Sequence, residues 1–260
     1  MTVPASTPLC IIPAHLRTAA DVDTLMRCLV SLSVSAPEAG ALYVDDGTKD
    51  AKLREAALAI VGELGFGSYL FNRGVGFVQA VNLGLDRAQL AGRDAVVLRH
   101  HIELIQPGWL DAMLARTDTQ GRPAAVVGAR LVSPRGRLRH AGWQFSELAR
   151  RWYPRFEHAA ANLPAALAPA LFPVASDLML IRHETAKLVG NFDLHLAPGA
   201  ADVDFCLRVF AAGEECVYEP AAVAVSSAPQ RRSARPEPAE RYLAGMWATT
   251  DLSPFVQEAL

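Results

Sequence analysis

Over its first hundred residues the chain alternates short apolar runs with stretches of helical spacing. Leu9-Cys10-Ile11-Ile12 is an apolar run closed by Pro13. From Asp21 to Ser33, Val22, Leu25, Met26, Leu29 and Leu32 recur with a helical period. Ala41-Leu42-Tyr43-Val44 forms a second run, ended by Asp45-Asp46-Gly47, and residues 51–64 return to helical spacing. Ser68 to Phe71 reads as a third strand, Gly76 to Ala91 as a third helix and Asp94 to Leu98 as a fourth strand. Such alternation predicts parallel βαβ units with helices on both faces of the sheet. In sheets of this kind ligands bind beyond the carboxyl ends of the strands. His15, Asp45, Asp46, Asn72, His100 and His101 are thereby expected along one rim.

The pattern changes after residue 120. Ala124 to Gly128, Arg137 to Phe145 and Asp177 to Arg182 read as strands separated by long loops. Residues 159–170 read as a loop or broken helix, Asp202 to Ala212 as a helix and Cys216 to Val225 as a last strand. Pro229 to Pro238 is rich in Arg, Pro and Ser, which predicts a linker or a segment ordered on binding, before a short helix over 239–247. With 260 residues the chain is long enough for a sizeable core. Its net charge of -2 gives no overall basic field, so nucleic acid is not an expected partner. The four cysteines have no metal-ligand spacing and fit buried thiols of a reducing compartment. No apolar run nears the ~18 residues of a spanning helix, and Met1 to Leu9 lacks the features of a signal peptide. A cytoplasmic location is expected, with a peripheral position on the inner face of a membrane left open.

Five stretches, taken in order, resemble family 2 glycosyltransferases with the GT-A fold. They are CIIPAHLR (10–17), ALYVDDGTKD (41–50), FNRGVGFVQAVNLGL (71–85), VVGARLVSPRGRLRHAGWQF (126–145) and VGNFDLHLAPGAADVDFCLRVFAAG (189–213). The resemblance covers roughly residues 8–227. It implies an α/β chain with a Rossmann-like, mostly parallel central sheet, helices on both faces and a smaller mixed acceptor-side sheet. The expected layout is one domain over 1–228, with a donor half at about 8–105 and an acceptor half at about 106–228, followed by the tail 229–260. The implied activity is inverting transfer of a sugar from a UDP, dTDP or GDP donor to a hydroxyl on a saccharide, lipid-linked or small-molecule acceptor. A homodimer is left open.

The same resemblance assigns residues. Pro13, His15 and Asp46 would hold the nucleotide, and Asn72 would shape a loop against the donor. Gly47 would permit the sharp turn after Asp46. Asp202 matches the acid that deprotonates the acceptor hydroxyl, a task suited to a carboxylate; as a purely structural residue it would cap its helix. Arg208 and Asp204 are read as braces of that helix. From the residues themselves, Trp143, with Trp152 and Tyr153, would offer an apolar platform to a sugar face; Asp177 replaces a small residue expected in the family and would face either the acceptor pocket, as an acceptor contact, or a buried partner. Trp109 is read as core.

The chain departs from the family pattern where a cation is normally held. LRHHIEL (98–104) places His101 at the position of the metal-binding Asp and Glu103 at the following acid; Ser226 stands where a His is usual, and Ala201 where a Glu is usual. Three consequences are open. His101 with Glu103, helped by His100, could hold a softer divalent cation such as Mn²⁺ or Zn²⁺, since Mg²⁺ prefers oxygen ligands. His101, with Arg99 or a tail arginine, could face the diphosphate without metal. Or the domain binds nucleotide, glycan or a partner protein without transfer. His100 and His101 would point to opposite faces if both lay on a strand.

Overall fold

The structure is a computed structural model that describes residues 7–118, 121–228 and 238–256. The arginine-rich stretch 230–235 lies outside the described residues. The first strand, β1 (Leu9–Ala14), runs through Pro13. Its pairing with β4 stops at Ile11, so the amide that Pro13 lacks falls where that neighbour has ended. The helix α1 (Ala19–Ser35) begins two residues before the expected start, because Thr18 and Asp21 close a reciprocal capping box. Then come β2 (Gly40–Asp45), α2 (Ala51–Glu63), β3 (Gly67–Leu70), α3 (Phe77–Leu90), β4 (Ala95–Leu98), β5 (Ile102–Glu103) and α4 (Trp109–Thr117). The second half holds β6 (Val126–Val132), β7 (Leu138–His140), β8 (Trp143–Ser146), β9 (Arg151–Pro154), β10 (Ala170–Leu171), β11 (Leu178–Ile181), α5 (His183–Val189), α6 (Pro198–Ala211), β12 (Cys216–Ser226) and α7 (Pro238–Met246).

Among the described residues, one ten-stranded sheet has the spatial order β10-β12-β6-β11-β4-β1-β2-β3, with β5 and β7 at its margins. β4, β1, β2 and β3 pair in parallel, as the alternation predicts. β11 inserts antiparallel between β4 and β6, and β6 pairs in parallel with β12. The smaller sheet is the antiparallel hairpin β8–β9. The strand region expected over 137–145 is thus two strands in two sheets. Gly142, at φ +92°, turns the chain between them; few other residues adopt that backbone cheaply. The loop 159–170 contains a short 3-10 turn at Pro164–Ala166.

Two apolar cores flank the sheet. One buries Leu25, Leu29, Ala57 and Met113 from α1, α2 and α4, with Trp109 fully buried at its centre. The other buries Leu85, Phe205 and Leu243 from α3, α6 and α7, together with Leu252 and Phe255. Residues 238–256, expected in a tail, are therefore built into the second core. The Trp247 indole N–H donates to Asp204 Oδ1 at 3.0 Å, and Arg151 pairs with Glu240 at 2.8 Å. Arg208 Nε donates to the other Asp204 oxygen at 2.9 Å, and its Nη1 and Nη2 donate to the Val189 and Asn191 carbonyls, bracing α6 against the preceding loop. Trp247→Phe leaves a buried carboxylate oxygen without its donor. It is expected to destabilise the fold by about 1–3 kcal/mol, read as a lowered Tm. Among the described residues no helix is long and apolar enough to cross a membrane.

Candidate active site

The carboxyl ends of β1, β2 and β4 open into a cleft of about 420 Å³ bordered by Pro13, His15, Asp46, Phe77, Arg99 and His100. A network between loops shapes it. Asp45 is fully buried, and its Oδ1 accepts from the Thr48 amide at 3.2 Å and from the Thr48 hydroxyl. The Thr48 oxygen accepts in turn from the Leu16 amide at 3.0 Å, tying the loop after β2 to the loop after β1. Asp46 Oδ1 accepts from the amides of Val75 (2.6 Å) and Gly76 (2.9 Å), which pins the loop before α3. Asp46 was expected to be free for the nucleotide; one of its oxygens is instead committed to the backbone, and only Oδ2 has no protein partner among the described residues. His15 Nδ1 donates to the Asp46 carbonyl at 2.7 Å, which leaves Nε2 as the free ring nitrogen. Asn72 does not join this group: it is exposed on the loop after β3 and does not border the cleft.

A second cleft, of about 400 Å³, opens beside the β8–β9 hairpin. Its walls come from the β8–β9 hairpin (Trp143, Trp152), the start of α6 (Ala200, Val203) and α7 with its following turn (Leu243, Trp247). The α7 wall escaped sequence reading, although Leu243 and Trp247 have helical spacing. Arg99 borders both clefts; His101 and Asp177 border the second. β4 ends at Leu98, so the two histidines sit in a turn and face different clefts. Burial above all, then the neighbouring His101 and Arg99, pushes the His100 imidazole down to about 4, so it is neutral at pH 7.

Asp177 is the hub of the second cleft. Its Oδ1 accepts from His101 Nε2 at 2.9 Å and lies 4.0 Å from the Arg99 guanidinium. Burial works to raise its pKa, but the His101 hydrogen bond and the Arg99 charge prevail and hold the carboxyl well below the usual carboxylate range. Asp202 has the opposite fate. It lies in the second turn of α6, not at its cap, because Pro198 starts the helix and Ala197 is the N-cap residue. It is 2% exposed; Oδ2 accepts from the Ser176 amide at 3.1 Å, and Oδ1 is buried with no partner among the described residues. Burial, helped by the adjacent Asp177 carboxylate and opposed by Ser176, raises its pKa to about 7. Asp202 does not itself border the open volume; its neighbours Ala200, Val203 and Asp177 do.

The residues at the cation position do not fit a divalent ion. His101 gives Nε2 to Asp177, while Glu103 sits on β5, paired with Val225 of β12. His101 and Glu103 share a small groove of about 250 Å³ that Arg27 also borders. Among the described residues no group of three or more His, Cys, Asp or Glu side chains converges on a cation site. Mg²⁺ and Mn²⁺ favour several oxygen donors. His101 and Glu103 thus belong to no preformed three-ligand cation site among the described residues.

No family model matches the chain. Among solved structures, GalNAc-T7 with UDP, GalNAc and Mn²⁺ superposes with a TM-score of 0.70 at 16% identity, covering 94% of this chain and 48% of that one. The mannosyltransferase PcManGT of Pyrobaculum calidifontis, in complex with GDP-Man and Mn²⁺, superposes with a TM-score of 0.60 at 14% identity, covering 86% and 57%. This chain has the GT-A fold. By sequence, the chain is 28% identical over 180 residues (64% of this chain) to an uncharacterized protein of Sinorhizobium fredii. It is 26% identical over 156 residues (57% of this chain) to the O-antigen biosynthesis protein RfbC of Myxococcus xanthus. It spans 20% and 12% of the length of those two relatives.

Proposed function

We propose that the chain transfers a sugar from a nucleoside-diphosphate sugar to a hydroxyl acceptor with inversion at the anomeric carbon. The observation that carries this reading is the state of Asp202: a buried carboxylate raised to about 7, with one unpartnered oxygen, behind the wall of a cleft that meets the donor cleft at Arg99. A general base works best when its pKa lies near the operating pH. The acceptor oxygen attacks the anomeric carbon, its proton passes to Asp202 Oδ1, and the bond to the diphosphate oxygen breaks with its electron pair leaving on the diphosphate. The Asp46 Oδ2 and His15 Nε2 atoms offer an acceptor and a ring nitrogen to the base and ribose, with Pro13 packing alongside. Trp143 supplies an apolar face to the acceptor and Asp177 a polar contact. Neighbours whose structures contain UDP or GDP-Man favour a nucleotide-sugar donor, and the O-antigen relative favours a saccharide or lipid-linked acceptor over a small molecule.

The test is incubation with UDP-, GDP- and dTDP-sugars and a panel of glycan acceptors. Acceptor-dependent release of nucleoside diphosphate is expected, with an NMR-assigned product of inverted configuration. A product of retained configuration would overturn the inverting scheme. A second reading, binding without transfer, draws on the burial of Asp202 away from the open cleft. Nucleotide binding with no release across the whole panel is the result that would select it.

A further inference from the structure

The mismatch between this site and a divalent cation raises the question of what meets the donor's diphosphate. We propose that Arg99 does so, so that nucleotide diphosphate binding needs no divalent ion; this rests on the donor-site reading above. Arg99 borders both clefts. The diphosphate of a donor spanning them must pass this junction, because the nucleotide lies on one side and the transferred sugar on the other. The backbone fixes the residue: its amide donates to the Asp177 carbonyl at 3.0 Å, continuing the β4–β11 pairing past Leu98. Its guanidinium lies over the Phe77 ring, 4.2 Å from the centroid, which orients the planar group without consuming its N–H donors.

Among the described residues the guanidinium forms no hydrogen bond; the nearest acid, Asp177 at 4.0 Å, already accepts from His101. Its side chain is 28% exposed. Five donors on a fixed plane, permanently charged, are thus held between two clefts, with an ion-pair partner at 4.0 Å but no hydrogen-bond acceptor among the described residues. That is the geometry for a bidentate grip on phosphate oxygens. Among the described residues at the end of β4, His100 borders the first cleft but is neutral at pH 7, His101 is turned to Asp177, and Glu103 is an acid on another groove. Asp177 is a positioning residue here, holding the strand end from its backbone and the charge from its carboxylate.

Calorimetry tests this with UDP, GDP and uridine as probes, in EDTA and in excess Mn²⁺. The unaltered chain is expected to bind UDP or GDP with the same affinity in both conditions. Arg99→Gln is expected to weaken that binding roughly tenfold or more and to leave uridine binding unchanged, since uridine has no phosphate to grip. Arg99→Lys keeps the charge without the fork and should fall between; it also serves if the Gln variant does not fold. Diphosphate binding that appears only with Mn²⁺, or that Arg99→Gln leaves intact, overturns the proposal while sparing the donor site. If neither nucleotide binds the unaltered chain in either condition, the donor-site reading fails and takes this one with it.

Discussion

Asp202→Asn is expected to lower sugar transfer about a thousandfold and, at the same time, to stabilise the fold above neutral pH. The two effects share one cause. The Asp202 carboxyl titrates at about 7 in the folded chain against an ordinary value of 3.8. Between those two values the folded state keeps a proton that the unfolded chain has lost. The contribution of Asp202 to stability is therefore greatest below about 3.8, falls as pH rises, and levels off above about 7. Asparagine buries no charge at any pH, and its side-chain oxygen can still accept from the Ser176 amide. The variant should gain on the order of a few kcal/mol over the parent at alkaline pH and nothing at acid pH. A series of thermal melts across pH reads this directly. The parent's rate should climb with pH and flatten above about 7, where the base is ionised. A melting difference independent of pH would mean that Asp202 is not held protonated; undiminished turnover would remove it as the base.

Gly47→Val is expected to empty the donor cleft of affinity while leaving most of the fold in place. Gly47 has φ +67°, and a Cβ there would lie 2.1 Å from the Arg73 carbonyl carbon and 2.3 Å from the Gly74 nitrogen. Those atoms are backbone and cannot swing aside as a side-chain tip would. The loop before α3 must retreat, which pulls the Val75 and Gly76 amides from Asp46. A β-branched residue in the left-handed region adds strain of about 1–3 kcal/mol. UDP or GDP binding by calorimetry should weaken by roughly tenfold or more, the order of a lost charge-assisted contact, with a lowered Tm. Affinity equal to the parent's would show that the two loops do not set the cleft.

The comparison of sequence and structure separates along physical lines. The βαβ half was legible because hydrophobic period and caps are local: Leu25, Leu29 and Leu32 announce a buried helix face without knowledge of any neighbour. Helix starts were less legible. The four residues of α6 before Asp202 are small or proline and carry no period, so the helix was placed late and Asp202 at its cap. The turn at His140-Ala141-Gly142 was legible from its glycine, but nothing local reports that it carries the chain from one sheet into another. At the site, Pro13, His15, Asp46, His101, Trp143, Asp177 and Asp202 lie in or directly behind the two clefts, whereas Asn72 and Glu103 lie elsewhere.

By itself the sequence determined the strand-and-helix alternation, the rim on which ligand-facing residues collect, and the loss of the usual acid at position 101. Only the tertiary structure decided which polar groups remain available. Asp46 spends one oxygen on amides 29 and 30 residues away, and His101 spends its Nε2 on a carboxylate 76 residues away. Asp202 and Asp177 are both acids near one cleft, yet burial raises one, while the His101 hydrogen bond and the Arg99 charge lower the other. Period is a property of neighbours along the chain, whereas hydrogen bonding, burial and charge coupling are properties of neighbours in space.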